Sequence, residues 1–184
     1  MKNIGQRIGI FVDVSNMYHS AKNLYNGRVN FNALLKEAVS GRQLIRAIAY
    51  VVSADIEHEQ DFFEALRLSG FEVKQKELQV FAGGAKKGDW DVGITIDAVT
   101  LAQKLDVVVL VTGDGDYVPL VEYLRANTGC QVEVMAFGKS TSSRLIDEAD
   151  EFMDLDKTPE KYLIKQRMVN IKSDLSMRLP PKSK

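Results

Sequence analysis

The 184-residue sequence is poor in cysteine and histidine, with Cys130, His19 and His58 as its complete set. A single thiol cannot form an internal disulfide, and three such side chains cannot assemble a Cys/His zinc site. Any metal ion that this protein binds should therefore have oxygen ligands.

Long apolar runs are also missing. The valine-rich run from Val107 to Val111 is far shorter than the roughly 20 residues that a membrane-spanning helix needs. No secretory signal opens the chain, because the apolar run from Ile8 to Val12 is followed at once by Asp13. We therefore expect a cytoplasmic protein with no membrane segment.

The net charge of −1 hides an uneven distribution. Residues 157–184 carry eight Lys and Arg side chains against Glu160 and Asp174, a charge of +6, which leaves −7 for residues 1–156. An acidic body with a basic tail is compatible with a nucleic-acid partner, and equally with a solvated helical tail.

Apolar residues with strand and helix periods alternate along residues 1–156. The expected strands cover residues 8–14, 43–52, 71–77, 106–111 and 131–137, with an edge segment at 152–155. One expected helix is capped by Asn30 and ends at Gly41, and further helices are expected over residues 57–69, 91–105, 117–127 and 143–149. Strands separated by helices predict an α/β fold, with a doubly wound parallel sheet of five or six strands covered by helices on both faces.

The pattern changes in residues 157–184, which we treat as a separate segment following the domain of residues 1–156. Ile164, Met168, Ile171 and Leu175 recur at helical spacing and predict a basic amphipathic C-terminal helix with a frayed end. We expect this helix to pack on the body or to contact a second copy of the chain or another protein.

Acidic residues stand where the apolar runs end. Asp13 ends the first strand, Asp114 and Asp116 follow the valine-rich strand, and Asp91 opens a helix. Ligands of doubly wound sheets bind at the carboxyl ends of the strands, so we expect these carboxylates to share one cleft. Each Asp could instead cap a helix, and Asp116 is well placed to do so.

Carboxylates that lie close together repel each other, and they raise their pKa values or bind a cation. Ligation by oxygen alone suits Mg²⁺ or Mn²⁺. We therefore predict a magnesium or manganese site formed by Asp13, Asp91, Asp114 and Asp116. Nearby polar residues that could orient a ligand or a water molecule, or simply form turns, are Ser15, Asn16 and Thr112. Asp97 does not share the helix face of Asp91, so it could reach the cleft from the side, pair with a lysine or face water.

The motifs that contain these acids resemble those of NYN domains, within the PIN-like nuclease superfamily, and of their LabA-like branch. The resemblance spans about Arg7 to Leu155 and rests on three motifs: FVDVSN from Phe11, KGDWDV from Lys87, and VTGDGDYVPL from Val111. It implies the strand order 3-2-1-4-5, an acidic cleft for Mg²⁺ or Mn²⁺, and ribonuclease activity. Asp13, Asp91, Asp114 and Asp116 match the acidic positions of the family, Asp97 a further acid of the LabA-like pattern, and Asn16 its polar residue.

The resulting hypothesis is metal-dependent hydrolysis of phosphodiester bonds in single-stranded RNA. Lysines on the third strand and on the loop of residues 78–90 are candidates for phosphate contacts, namely Lys74, Lys76, Lys86 and Lys87. Trp90 and Tyr117 flank the acids and could stack on a base or be buried.

Two other functions compete with this hypothesis. The motif GDGD from Gly113 resembles a late acidic motif of haloacid dehalogenase phosphatases, but Asp13 is followed by Val14 and Ser15, so the general acid of that class is missing. The other alternative is a non-catalytic regulator that binds RNA or a protein, which the acidic body favours because cleavage needs a route for a polyanion.

Overall fold

The computed structural model describes residues 3–53, 59–80 and 86–164, and a parallel sheet of six strands forms its centre. These strands are β1 (Arg7–Asp13), β2 (Gln43–Ser53), β3 (Glu72–Glu77), β4 (Val107–Val111), β5 (Gln131–Ala136) and β6 (Glu151–Asp154). Their order is β3-β2-β1-β4-β5-β6, and every neighbouring pair is parallel. The predicted fold and strand order are confirmed, with β6 as the sixth strand.

Helices connect the strands and cover both faces of the sheet. They are α1 (Val14–Tyr25), α2 (Phe31–Val39), α3 (Gln60–Leu68), α4 (Asp91–Ala102), α5 (Val118–Asn127), α6 (Ser143–Glu148) and α7 (Pro159–Tyr162). Three single turns of 3₁₀ helix follow β4, β5 and β6, at Gly115–Tyr117, Gly138–Ser140 and Leu155–Lys157.

Alternating side chains of the central strands fill two separate cores. On β1, Ile10 and Val12 pack with α1, α2 and α3 on one face, whereas Phe11 packs with α4 and α5 on the other. All five residues of β4 are buried. A strand that is covered on both faces needs such a continuous apolar run, which is why the runs in the sequence identify β1 and β4.

Helix α1 is absent from the sequence-based expectations, and this omission is wrong. Its buried residues are Val14, Met17, Ser20 and Ala21, an irregular pattern in which a polar serine takes a core position. The helix begins immediately at the end of β1 because Asp13 caps it, and it ends at Asn26 in the left-handed conformation.

Two other regions differ from expectation. Within the predicted loop of residues 78–90, Gln79–Val80 and Lys86–Lys87 pair as short antiparallel strands. Near the carboxyl end, Leu163–Ile164 pair with Arg28–Val29 as strands, so Ile164 is not helical. The remainder of the predicted C-terminal helix, residues 165–184, lies outside the described residues.

Candidate functional site

Asp13 and Asp114 occupy equivalent places at the ends of two neighbouring strands. The strands β1 and β4 are paired, with Val12 opposite Val111. The Oδ1 atom of Asp13 accepts the backbone N–H of Asn16 at 3.0 Å, and Oδ1 of Asp114 accepts that of Asp116 at 3.0 Å. Each Asp therefore caps the helical turn that follows its strand.

Asp91 reaches the same place from the first turn of α4. The hydroxyl of Tyr117, which is buried, donates a hydrogen bond to Oδ1 of Asp91 at 3.0 Å. Burial, together with the charges of Asp89, Asp114 and Asp116, raises the pKa of Asp91 in spite of this hydrogen bond. Tyr117 therefore holds a carboxylate, and of the two alternatives that the sequence left for its ring, stacking on a base or burial, the structure shows burial.

These three carboxylates line one cleft of about 180 Å³. The remaining lining residues come from α1, β2 and the segment that precedes α4, and they are Ser15, Asn16, His19, Val52, Gly88, Asp89 and Trp90. Burial, with the charges of Asp91 and Asp114, raises the pKa of Asp13 to about 6, although backbone hydrogen bonds oppose the shift. The cleft is therefore a place where a cation would be stabilised.

Asp116 stands at the rim of this cleft. It is exposed, and it is not among the described residues that line the cleft. Its charge nevertheless contributes to the raised pKa of Asp91. Asp116 does not cap the helix that follows it, because α5 begins without a side-chain cap. Asp114 caps the preceding 3₁₀ turn by accepting the N–H of Asp116.

The polar residues beside the acids hold the loop after β4 in place. The side chain of Asn16, on α1, accepts the N–H of Gly113 at 2.9 Å, and Oγ1 of Thr112 accepts the N–H of Asp114 at 3.2 Å. A Cβ atom on Gly113 would lie 2.9 Å from Oγ1 of Thr141, so glycine allows the two loops to approach each other.

The hydrogen bond between Asn16 and Gly113 gives a testable expectation. Asn16→Ala leaves the buried N–H of Gly113 without its acceptor, and we expect the free energy of unfolding in urea to fall by about 1–3 kcal/mol. The matched control is Asn23→Ala, at an exposed position on the same helix, which should change it by less than about 0.5 kcal/mol. Equal effects of the two substitutions would show that this hydrogen bond does not stabilise the loop.

Asp97 lies outside the cleft. Its Oδ2 atom accepts hydrogen bonds from the ammonium group of Lys74 and from the hydroxyl of Tyr50, both at 2.6 Å. Burial pushes the pKa of Asp97 upward, but these hydrogen bonds outweigh burial and hold the pKa below its ordinary value. Asp97 therefore forms an ion pair with a predicted phosphate-binding lysine, and neither side chain belongs to the acid cluster.

The other predicted phosphate contacts are arranged as follows. The ammonium group of Lys76 donates to the backbone oxygen of Asp89 at 3.1 Å and lies 5.5 Å from the ring centre of Trp90. The indole N–H of Trp90 donates to the backbone oxygen of Val51 at 2.9 Å. Lys86 and Lys87 lie on the short strand described above. Lys76 and Trp90 thus make contacts that support one wall of the cleft.

His19 and Asp89 line the cleft but were not among the predicted site residues. Asp89 stands inside the KGDWDV motif, so its sequence position was the available signal. The signal for His19 was its spacing: it follows Ser15 by four residues, which places both on one face of a helix. That spacing has meaning only once α1 is recognised.

The donor set of the cleft fits a particular kind of cation. Within residues 3–53, 59–80 and 86–164, no group of three or more His, Cys, Asp or Glu side chains is arranged to enclose an ion directly. Mg²⁺ usually takes one or two protein carboxylates and keeps several water molecules. The oxygen donors of Asp13, Asp91 and Asp114 therefore fit a hydrated divalent ion and do not fit a closed cage of four carboxylates.

A parallel sheet in this order, with acids from separate chain segments at the carboxyl ends of its central strands, defines an α/β protein of the PIN-like class. The chain belongs to the NYN domain family, whose model matches residues 7–156. It is 26% identical over 160 residues to the low amplitude and bright protein LabA of Synechococcus elongatus, covering 81% of this chain and 83% of that protein.

A solved structure agrees with this assignment. A Vibrio parahaemolyticus protein, described as being of unknown function, superimposes with a TM-score of 0.80 at 35% sequence identity. The match covers 89% of this chain and 99% of the Vibrio chain.

Among the helices of the described residues, none has both the length and the apolar character needed to cross a membrane.

Proposed function

We propose that this protein is a metal-dependent ribonuclease that hydrolyses phosphodiester bonds of single-stranded RNA in the acidic cleft. The observation that carries the proposal is the convergence of Asp13, Asp91 and Asp114 from three distant segments on one cleft. Their mutual repulsion costs stability, which a bound cation would offset. Membership of the NYN family, in a superfamily of nucleases, supports the same reaction class.

The roles of the residues follow from their positions. Asp13, Asp91 and Asp114 would hold Mg²⁺ or Mn²⁺, directly or through water. Such an ion lowers the pKa of a bound water molecule and stabilises negative charge on phosphoryl oxygens. Asp116, exposed at the rim beside Asp91, would orient the attacking water. Tyr117 fixes the orientation of Asp91, and Asn16 fixes the loop that carries Asp114.

A regulator that binds RNA or a protein without cleaving it is the second candidate. The observation that favours it is the charge of −7 on residues 1–156, which repels a polyanion. Both candidates use the same fold, and only the first requires that a phosphodiester bond is broken.

A cleavage assay separates the two candidates. We expect the full-length chain to cut a labelled single-stranded RNA in the presence of Mn²⁺ or Mg²⁺, and EDTA to stop the reaction. Asp114→Asn removes a charge of the metal shell while keeping the acceptor that caps the 3₁₀ turn, so cleavage should fall by about 100-fold or more. Absence of cleavage by the wild-type chain with both metals, together with equal RNA binding by wild type and variant, would favour the regulator.

A further inference from the structure

The outer face of α1 begins inside the acidic cleft and continues away from it. Ser15, Asn16 and His19 line the cleft, and Tyr18 and Lys22 lie beside His19 on the exposed side of the helix. Since a helix rises about 1.5 Å per residue, Lys22 lies about 10 Å along the axis from Ser15. We call Tyr18, His19 and Lys22 the α1 strip.

The side chains of the α1 strip are accessible and mutually ordered. The Tyr18 residue is 46% exposed, and the ammonium group of Lys22 lies 5.6 Å from the centre of its ring. The rings of Tyr18 and His19 are 5.4 Å apart at 76°. In the part of the chain that the structure describes, Lys22 has no carboxylate partner, so its charge remains available to an anion.

Two of the lysines that the sequence suggested as phosphate contacts are engaged differently. Lys74 is paired with Asp97 at 2.6 Å, and Lys76 donates to the backbone oxygen of Asp89. A phosphate group would have to compete with these protein acceptors. Among the described residues, the ammonium group of Lys22 contacts the ring of Tyr18 and no carboxylate, so the α1 strip offers a ring, an imidazole and a cation that no acidic side chain engages.

This combination matches single-stranded RNA. Proteins bind single strands by stacking unpaired bases on aromatic side chains and by contacting phosphates with cations along a groove. A duplex hides the faces of its bases in the stack, so a lone exposed tyrosine cannot stack on them. An imidazole carries at least one N–H donor in either charge state, which suits a phosphate oxygen near the acids.

We infer that the α1 strip binds the single-stranded RNA segment that leaves the acidic cleft, with a base stacked on Tyr18, a phosphate at Lys22 and the phosphate nearest the cleft at His19. The inference rests on the proposed function for the direction of the strand, because the cleft is taken as the place of cleavage. RNA binding by the strip is measurable without cleavage.

The first experiment measures the dissociation constant of the full-length chain for a fluorescein-labelled oligouridine in EDTA, by fluorescence anisotropy. Tyr18→Ala should weaken binding by about 5- to 100-fold, because it removes one stacking platform. Tyr18→Phe keeps the ring and should restore most of the affinity. If Tyr18→Phe binds as weakly as Tyr18→Ala, or Tyr18→Ala binds like the wild type, stacking on this ring is refuted.

The second experiment compares the salt dependence of binding. Lys22→Glu should lower the slope of log Kd against log salt by about 0.7 or more, as expected for the loss of one phosphate contact on a single strand. Lys104→Glu is the charge-matched control, because Lys104 is exposed and precedes β4, at the amino ends of the strands and away from the cleft. Equal slopes for the two variants would overturn the assignment of Lys22.

The outcomes also separate this inference from the proposed function. Loss of RNA binding in Tyr18→Ala and Lys22→Glu, with no cleavage by the wild-type chain, would support RNA binding by the α1 strip and refute the ribonuclease activity. Cleavage by the wild type with an unchanged KM in both variants would support the ribonuclease activity and refute RNA binding by the α1 strip. A wild-type chain that binds a peptide or duplex but no single-stranded RNA would also reject the strip.

Discussion

Asp13→Asn should abolish RNA cleavage and at the same time stabilise the metal-free protein. The rate should fall by about 100-fold or more, because the substitution removes a charge from the proposed metal shell. Asparagine caps a helix about as well as aspartate does, so the hydrogen bond from the N–H of Asn16 can persist. The substitution therefore separates the charge of Asp13 from its structural role.

The gain in stability follows from the raised pKa of Asp13. Its carboxyl has a pKa of about 6 in the folded chain, against an ordinary value of 3.8. The folded state then binds the proton more tightly than the unfolded state, so the contribution of this group to stability is fully present below pH 3.8 and is lost as the pH rises through 6. In EDTA at a pH above 7, Asp13→Asn should raise the free energy of unfolding by about 1–3 kcal/mol.

Asp106→Asn provides a control of opposite sign. Hydrogen bonds from Arg7 hold the pKa of Asp106 down to about 2, so its stabilising contribution is present at neutral pH and is lost as the pH falls from about 4 toward 2. Urea unfolding at several pH values should show Asp106→Asn less stable than the wild type at neutral pH and Asp13→Asn more stable. A destabilised Asp13→Asn variant in EDTA would show that the acids of the cleft do not repel each other as described.

The convergence of acids at the sheet edge was predictable because two simple rules determine it. Continuous apolar runs identify strands that are buried on both faces. Neighbouring parallel strands have their carboxyl ends on the same side of the sheet. Asp13 follows such a run directly and Asp114 follows the next one after two residues, so their proximity needs only the adjacency of β1 and β4. Asp91 follows from its position at the start of α4, because that helix packs beside the same strands.

The partners of individual side chains could not be predicted in the same way. For Asp97 the sequence left a place at the cleft, an ion pair with a lysine and exposure to water all open. Lys74 comes within reach of Asp97 only because β3 pairs with β2, so the choice depends on a tertiary arrangement. Helix α1 was missed because Ser20 stands at a core position, where its hydroxyl contacts that of Ser140 at 2.9 Å. A serine in a tertiary hydrogen bond therefore stands where a periodicity argument needs an apolar residue. His19 was not predicted as a site residue because the helix that carries it was not predicted.

Glu133→Gln should cause a large loss of stability although Glu133 does not line the cleft. Glu133, on β5, accepts two hydrogen bonds from the guanidinium of Arg42, at 2.6 and 2.9 Å, and both side chains are buried. The same guanidinium donates to the backbone oxygen of Ala38 at 2.7 Å. Removing the charge of Glu133 leaves a buried cation without its carboxylate, and we expect a loss of about 3–5 kcal/mol in urea unfolding.

Arg46 and Glu72 form a matched pair in a different environment. They also make a two-point contact, but the Arg46 and Glu72 side chains are 36% and 52% exposed. Glu72→Gln should therefore cost no more than about 1 kcal/mol. Arg42 precedes β2 at the amino ends of the strands, and the cleft lies at their carboxyl ends. Glu133→Gln should therefore leave the RNA cleavage rate unchanged at temperatures well below the melting temperature of the variant. Similar losses in Glu133→Gln and Glu72→Gln would show that burial does not determine the contribution of these pairs.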